Sequence, residues 1–180
     1  ASPTPAVDAA CVYVAWGTPE RITVKALDHD GGDVWEADLG PYSAGHGFGQ
    51  SLCLHEELLY LPVEKGDGGF RVALHCATGE IAWKVTCESG LHYATPCVRT
   101  TIGGDQLIFV NWEQGIVAVD PQTGGPLWGA DVFDKGHVES SIGSPVLAGE
   151  LVIGISGYLG HGYEAIAVDP GRDGDKVVWK

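Results

Sequence analysis

Four of the seven histidines in this chain, His46, His92, His137 and His161, stand in polar, glycine-rich stretches. Imidazole is a good ligand for Zn, Cu, Fe or Ni, and Glu88 or Glu139 can add an oxygen. A shared metal or acid/base centre is the sharpest chemistry these residue types allow. Against it, no two histidines show ligand spacing, and polar loops carry histidines without any ligand. No segment resembles a Ser-His-Asp arrangement or a pair of catalytic carboxylates, although such sites assemble in space. The expectation is therefore no resident metal and no catalytic residue. The segment Gly45-His46-Gly47-Phe48-Gly49-Gln50 lets backbone approach a ligand, but no helix follows it, which disfavours nucleotide binding. Ser156-Gly157-Tyr158-Leu159-Gly160-His161-Gly162-Tyr163 sets aromatics among glycines, a composition that suits carbohydrate or peptide contact, although a self-packed loop is the favoured reading.

The segments between these stretches repeat. Ala26-Leu27-Asp28…Gly31…Trp35 returns as Ala73-Leu74-His75…Gly79…Trp83, as Ala118-Val119-Asp120…Gly124…Trp128, and as Ala167-Val168-Asp169…Gly174…Trp179. The alanines recur at roughly 45–49 residues, a period that reads as one propeller blade per repeat. Each repeat divides into four short runs rich in Val, Ile, Leu and aromatics, such as Val12-Tyr13-Val14-Ala15-Trp16 and Leu107-Ile108-Phe109-Val110. Runs of this kind are strands, and no window carries a capped helical period. Asp28, Asp120 and Asp169 are expected to accept amide hydrogen bonds in Asx-type turns, and the glycines to take positive φ. The four tryptophans are expected to pack blade against blade. The fold is thus read as all-β, a β-propeller with four visible four-stranded blades, at about 2–40, 47–87, 93–132 and 140–180 of one propeller section spanning residues 1–180.

Ala118-Val119-Asp120-Pro121-Gln122-Thr123-Gly124-Gly125-Pro126-Leu127-Trp128 resembles the PQQ-type (quinoprotein-like) β-propeller repeat, and Ser144-Pro145-Val146-Leu147 resembles that repeat's opening strand. The resemblance covers essentially the whole chain and is nearest to bacterial, BamB-like PQQ-repeat proteins. It implies a ring of seven or eight blades, so the chain is expected to be a section of a longer propeller, completed by blades of the same or another chain. It implies an extracytoplasmic, periplasmic setting. It further implies that ligands meet the face formed by the loops joining second to third strands and fourth to next opening strands. On that face fall His46, Phe48, Gln50, His92, Tyr93, Trp112, His137, Tyr158, His161 and Tyr163. The function expected is a non-catalytic scaffold presenting this face to a protein, peptide or glycan, with no cofactor. The alternative is a PQQ-dependent dehydrogenase with a Ca²⁺ shell, for which Trp112 beside Asn111 and Glu113 is the one local candidate. Asn111 and Glu113 would share a strand face while Trp112 points away.

A net charge of −14 disfavours nucleic acid and anionic membrane surfaces as partners. No run is long and apolar enough to insert in a bilayer. Ala1-Ser2-Pro3 and the absence of Met fit a processed or internal start. The five cysteines, Cys11, Cys53, Cys76, Cys87 and Cys97, form no CxxC. Cys53 and Cys97 hold matching places on opening strands, where a free thiol is expected and a cross-blade disulfide is the alternative.

Overall fold

The computed structural model describes residues 3–44, 47–63, 65, 68–87, 92–135, 141–157 and 162–180. Among the described residues there is no helix, and every strand belongs to one of four antiparallel four-stranded sheets in simple up-and-down order. Blade 1 comprises β1 (Ala6–Val7), β2 (Cys11–Gly17), β3 (Ile22–Asp28) and β4 (Asp33–Asp38). Blade 2 comprises β5 (Cys53–His55), β6 (Leu58–Val63), β7 (Gly69–His75) and β8 (Ile81–Cys87). Blade 3 comprises β9 (Cys97–Thr101), β10 (Gly104–Asn111), β11 (Gly115–Val119) and β12 (Pro126–Ala130). Blade 4 comprises β13 (Val146–Ala148), β14 (Leu151–Gly157), β15 (Tyr163–Val168) and β16 (Val177–Trp179). The chain forms two compact units, Ala1–Glu88 with blades 1 and 2, and Ser89–Lys180 with blades 3 and 4.

Register explains the repeated Ala and Trp. Ala26 pairs with Trp35, Ala73 with Trp83, Ala118 with Trp128 and Ala167 with Trp179, and the ladder slips by a bulge immediately after each alanine. A bulge strengthens local twist and re-aims the next side chains. The methyl group leaves room for the indole on the same face. In blades 1 and 2 a tyrosine completes the row, with ring centroids 5.9 Å apart for Tyr13–Trp35 and 6.1 Å for Tyr60–Trp83.

The hairpin turns follow the expected chemistry. Asp28 Oδ1 accepts from the amides of Asp30 and Gly32, Asp120 Oδ1 from Gln122 and Thr123, and Asp169 Oδ1 from Gly171. Gly79 has φ 74° and lies so close to Trp35 that a Cβ there would meet the indole at 2.5 Å. The indole N–H of Trp35 donates to the Cys76 carbonyl at 2.7 Å. Here the tryptophan of one blade packs on the turn of the next. Trp128 differs, because its N–H donates to Gln106 Oε1 of its own blade at 3.0 Å. The longer turn of blade 4, residues 169–176, presents no Thr-Gly pair to receive it.

Each unit has a core between its two blades. In the first, Tyr13, Ile22, Val24 and Ala26 of blade 1 meet Leu59, Leu61, Val72 and Leu74 of blade 2. In the second, Ile108, Val110, Ile116 and Ala118 of blade 3 meet Val152, Ile166 and Val168 of blade 4. One polar bond recurs at both seams: Thr4 N–H donates to Ser51 Oγ at 2.9 Å, and Thr95 N–H to Ser144 Oγ at 3.1 Å. Both serines open a blade just before its first strand. All five cysteines are free thiols, so the cross-blade disulfide is not formed. Burial pushes the Cys97 thiol up to about 11, which keeps it protonated and unreactive. No helix among the described residues is long and apolar enough to cross a membrane.

Candidate functional site: the loop face of each unit

Up-and-down blades send their loops to two ends. One end carries the tight hairpin turns. The other carries the second-to-third-strand loops and the connections between blades, and this is the face singled out from the sequence.

In the first unit the inter-blade connection is packed on itself. Phe48 and Gln50 are both buried, so their side chains are packed inside rather than offered to a ligand. Phe48 stands edge-on to Tyr42, centroids 5.1 Å apart, and its ring lies over Gly17 at the end of β2. A Cβ at Gly17 would meet that ring at 3.0 Å, which is why a glycine sits there. Tyr42 Oη donates to the Gly47 carbonyl at 3.2 Å, and the Gly49 amide donates to Gln50 Oε1, also at 3.2 Å. The aromatic and the amide therefore brace the loop. His46 lies outside the described residues.

In the second unit a buried polar cluster occupies the corresponding place. Counting back from each opening strand, His92 and Ser141 take the repeat position held by Phe48. His92 is 2% exposed, and its Nδ1 accepts the Ser141 amide proton at 3.1 Å. That bond fixes the tautomer of the neutral ring, with the proton on Nε2. Nε2 faces Glu113 Oε2 at 3.7 Å. The Tyr93 amide donates to the Ser141 carbonyl at 3.0 Å, so consecutive inter-blade connections are tied together by backbone and imidazole alike. Ser141 Oγ and Ser156 Oγ, both fully buried, are 3.4 Å apart. Ser141 escapes a reading by residue type, since serine is common in loops. Its only signal is the repeat position it shares with Phe48 and His92.

Asn111, Trp112 and Glu113 are arranged differently from the expectation. β10 ends at Asn111, and residues 112–114 form the turn, so strand alternation does not run through them. Asn111 is fully buried and its Oδ1 accepts two amides, Glu113 at 2.8 Å and Gln114 at 3.1 Å. Trp112 is half-buried and its indole N–H points to the Asp134 carbonyl at 3.4 Å. Asp134 in turn donates its amide to Glu164 Oε2 at 2.8 Å. The Asn111 oxygen is occupied by its own turn and the Trp112 edge is bound to a neighbouring loop.

The other expected residues fall as follows. Tyr93 is half-buried, and Tyr163 is 69% exposed with its ring against Gly157. His137, Tyr158 and His161 lie outside the described residues, as do Glu88 and Glu139. Of the expected residues, the described surface thus narrows to Tyr163 and the partly open Trp112 and Tyr93, while Ile142, next to Ser141 in sequence, is 49% exposed.

At the turn end of the first unit a cavity of about 460 Å³ opens between the blades, lined by Asp8, Cys11, Tyr13, Glu56, His75 and Cys76 among others. Asp8 accepts the amides of Ala10 and Cys11 and the Tyr13 hydroxyl at 2.8 Å. Partial burial raises the Asp8 pKa, but the bonds from Cys11, Tyr13 and Ala10 outweigh it and hold the carboxyl below its ordinary value. Burial, then the bond to Asp8, drives the Tyr13 phenol far above its ordinary range.

Four-stranded up-and-down blades, an Ala–Trp row beside a bulge, Asx turns, and a Thr-Gly turn in blade 2 that receives the indole of blade 1 define a PQQ-type repeat β-propeller. A family model described as outer membrane protein assembly factor BamB matches residues 20–180, and the chain belongs to that family. No curated protein sequence matches it. Among solved structures it is similar to BamB from Moraxella catarrhalis, at TM-score 0.68 and 16% identity over 93% of this chain and 49% of that one. It is also similar to quinohemoprotein alcohol dehydrogenase from Comamonas testosteroni, at TM-score 0.65 and 18% identity over 99% of this chain and 34% of that one. A third is quinohemoprotein alcohol dehydrogenase ADHIIG from Pseudomonas putida HK5, at TM-score 0.54 and 13% identity over 94% and 31%. The chain spans about half the length of the BamB structure and about a third of each dehydrogenase. At these identities the likeness shows the fold.

Proposed function

We propose that this chain is a non-catalytic, BamB-like scaffold that binds a protein or peptide on its loop face. The observation that carries the reading is the state of His92. A neutral imidazole has one basic nitrogen, and here it is taken by the Ser141 amide. The most buried titratable side chain of the described face is therefore spent on joining two loops and is no general base. Gln50 and Asn111 are likewise bonded to the backbone of their own loops. Polar groups used this way make loops rigid, and rigid loops lose less entropy when they bind. Exposed Tyr163 and the open part of Trp112 supply amphipathic contact area of the kind enriched at binding surfaces. The family description, an outer membrane protein assembly factor, supports a protein as the partner and an extracytoplasmic setting. A peptide rather than a glycan is favoured on that ground alone.

The second reading, a PQQ-dependent dehydrogenase, rests on the fold shared with the quinohemoprotein alcohol dehydrogenases. One experiment separates them. The purified chain is titrated with PQQ in the presence of Ca²⁺, followed by quinone absorbance and tryptophan fluorescence, and Trp112→Ala is run alongside. The scaffold reading expects no saturable uptake. Saturable binding that Trp112→Ala abolishes, with alcohol-dependent dye reduction, would replace it with the dehydrogenase reading.

A further inference from the structure

Register fixes equivalent positions at the seam inside each unit. Tyr13, paired with Ala6 and Ala26, corresponds to Ile108, paired with Cys97 and Ala118. Cys11 therefore holds the repeat position of Gln106, and Asp8 that of Arg99. In the following blades Cys53 corresponds to Val146, so the Glu56-Glu57 turn matches Gly149-Glu150. Glu56, with φ 51°, and Gly149, with φ 61°, share the left-handed backbone.

In the second unit a guanidinium closes the turn end of the seam. Arg99 Nη2 donates to Glu150 Oε2 at 2.8 Å and to the Glu150 carbonyl at 3.4 Å, while Nη1 donates to Gln106 Oε1 at 3.3 Å. The first unit keeps the carboxylate, at Glu57. It has Asp8 where the arginine stands and the short Cys11 where the glutamine stands. The cavity of about 460 Å³ lies at this place, within the size range of small-ligand sites, about 300–1,000 Å³. Among the described residues that line it are three carboxylates, Asp8, Glu56 and Glu57, and no lysine or arginine. Its one imidazole, His75, is exposed. Among the described residues no cation pairs with Glu57.

We propose that this cavity binds the guanidinium of an arginine side chain on a partner peptide. Glu57 takes toward it the part that Glu150 takes toward Arg99, and Asp8 supplies the second acceptor in place of Gln106. The planar fork of a guanidinium suits two carboxylates, and it sheds water more readily than an ammonium does. Ala10, Val34 and Ala77 give its stem an apolar wall. Despite partial burial, the bonds from Cys11, Tyr13 and Ala10 hold the Asp8 carboxyl below its ordinary value, so it is charged at neutral pH. The net charge of −14 attracts a cationic partner from a distance. The site lies at the turn end of the first unit and does not depend on the loop-face function.

The test is a heteronuclear NMR titration of the purified chain in low-salt buffer. Its probes are the blocked peptide acetyl-Ala-Ala-Arg-Ala-Ala-amide, the same peptide with citrulline for arginine, and free L-arginine. The arginine peptide is expected to bind saturably and to shift the amides of Ala10, Cys11 and Ala77. Citrulline keeps the shape and loses the charge, and should bind at least about tenfold more weakly. Glu57→Gln, at an exposed turn, should weaken the arginine peptide about tenfold, while Tyr163→Ala binds it like wild type. Val34→Arg, which sets a guanidinium of the chain's own at the cavity wall, should compete with the peptide, and it serves if Glu57→Gln disturbs the fold. Tighter binding of the peptide than of free arginine supports a protein partner. Free arginine bound as tightly would overturn the peptide as occupant in favour of a small guanidino compound. No saturable shift up to about 10 mM peptide would overturn the site itself. So would equal binding of the citrulline peptide, or shifts that centre on Tyr163 and ignore Glu57→Gln and Val34→Arg.

Discussion

At the residue scale the seam between blades 1 and 2 depends on one glycine and one indole. Gly79 combines positive φ with contact against Trp35, so even a methyl group is doubly unwelcome. Gly79→Ala is expected to destabilise the chain by about 2–4 kcal/mol, the sum of left-handed backbone strain and overpacking. Trp35→Phe keeps most of the apolar contact and loses only the 2.7 Å bond to Cys76; it should cost about 1–2 kcal/mol. Urea melts of the three proteins check both, and a Gly79→Ala variant as stable as wild type would remove the indole-on-turn account. The Asp8–Tyr13 pair gives a pH signature. The Asp8 pKa is lowered on folding from an ordinary value of 3.8. Its stabilisation is thus complete above that value and is lost as pH falls through the lower folded value. The Tyr13 pKa is raised from 10.0, so its contribution is complete below pH 10 and fades as pH rises further. The double variant Asp8→Asn/Tyr13→Phe should flatten both ends of the stability–pH curve, as read from thermal midpoints. Identical curves would show that the pair is not coupled to folding.

At the element scale, each blade opens with a serine or threonine that bonds to its neighbour. Ser51→Ala and Ser144→Ala each orphan an amide at a seam, Thr4 or Thr95. Each is expected to lower stability by about 1–2 kcal/mol in denaturant titrations. The effects should be additive, because the two seams lie in different units. The strands, their order, the turn aspartates and the Ala–Trp row were legible in the sequence because each follows from local chemistry repeated four times. The bulge after each alanine was not legible, since a slip in register leaves no mark on composition. The loop face was legible only as a location. Phe48, Gln50 and His92 look like ligand-binding types, yet their burial comes from Gly17, Tyr42 and Ser141, partners set by the packing of blade on blade. Asn111 similarly ends its strand and caps a turn that begins at Trp112, where alternation implied a strand running on through Glu113.

At the scale of the whole molecule, two units of two blades each carry one continuous core and one section of the loop face. Repetition explains how a chain with a net charge of −14 still folds around apolar seams. The acidic and polar residues are carried largely by turns and outer strands, whereas the inner strands β6, β7 and β11 are almost wholly buried. Function on such a scaffold belongs to the loops, and the repeat itself serves packing.

The most direct test of the scaffold reading is binding of the purified chain to an immobilised peptide array, with affinities for the strongest peptides then measured in solution. Tyr163→Ala and Trp112→Ala on the loop face are compared with Asp30→Ala in a hairpin turn at the opposite end of blade 1. The expected result is that each loop-face variant weakens binding about tenfold or more, while Asp30→Ala binds like wild type. Loop-face variants that bind every peptide as wild type does, together with saturable uptake of PQQ and Ca²⁺, would contradict the account.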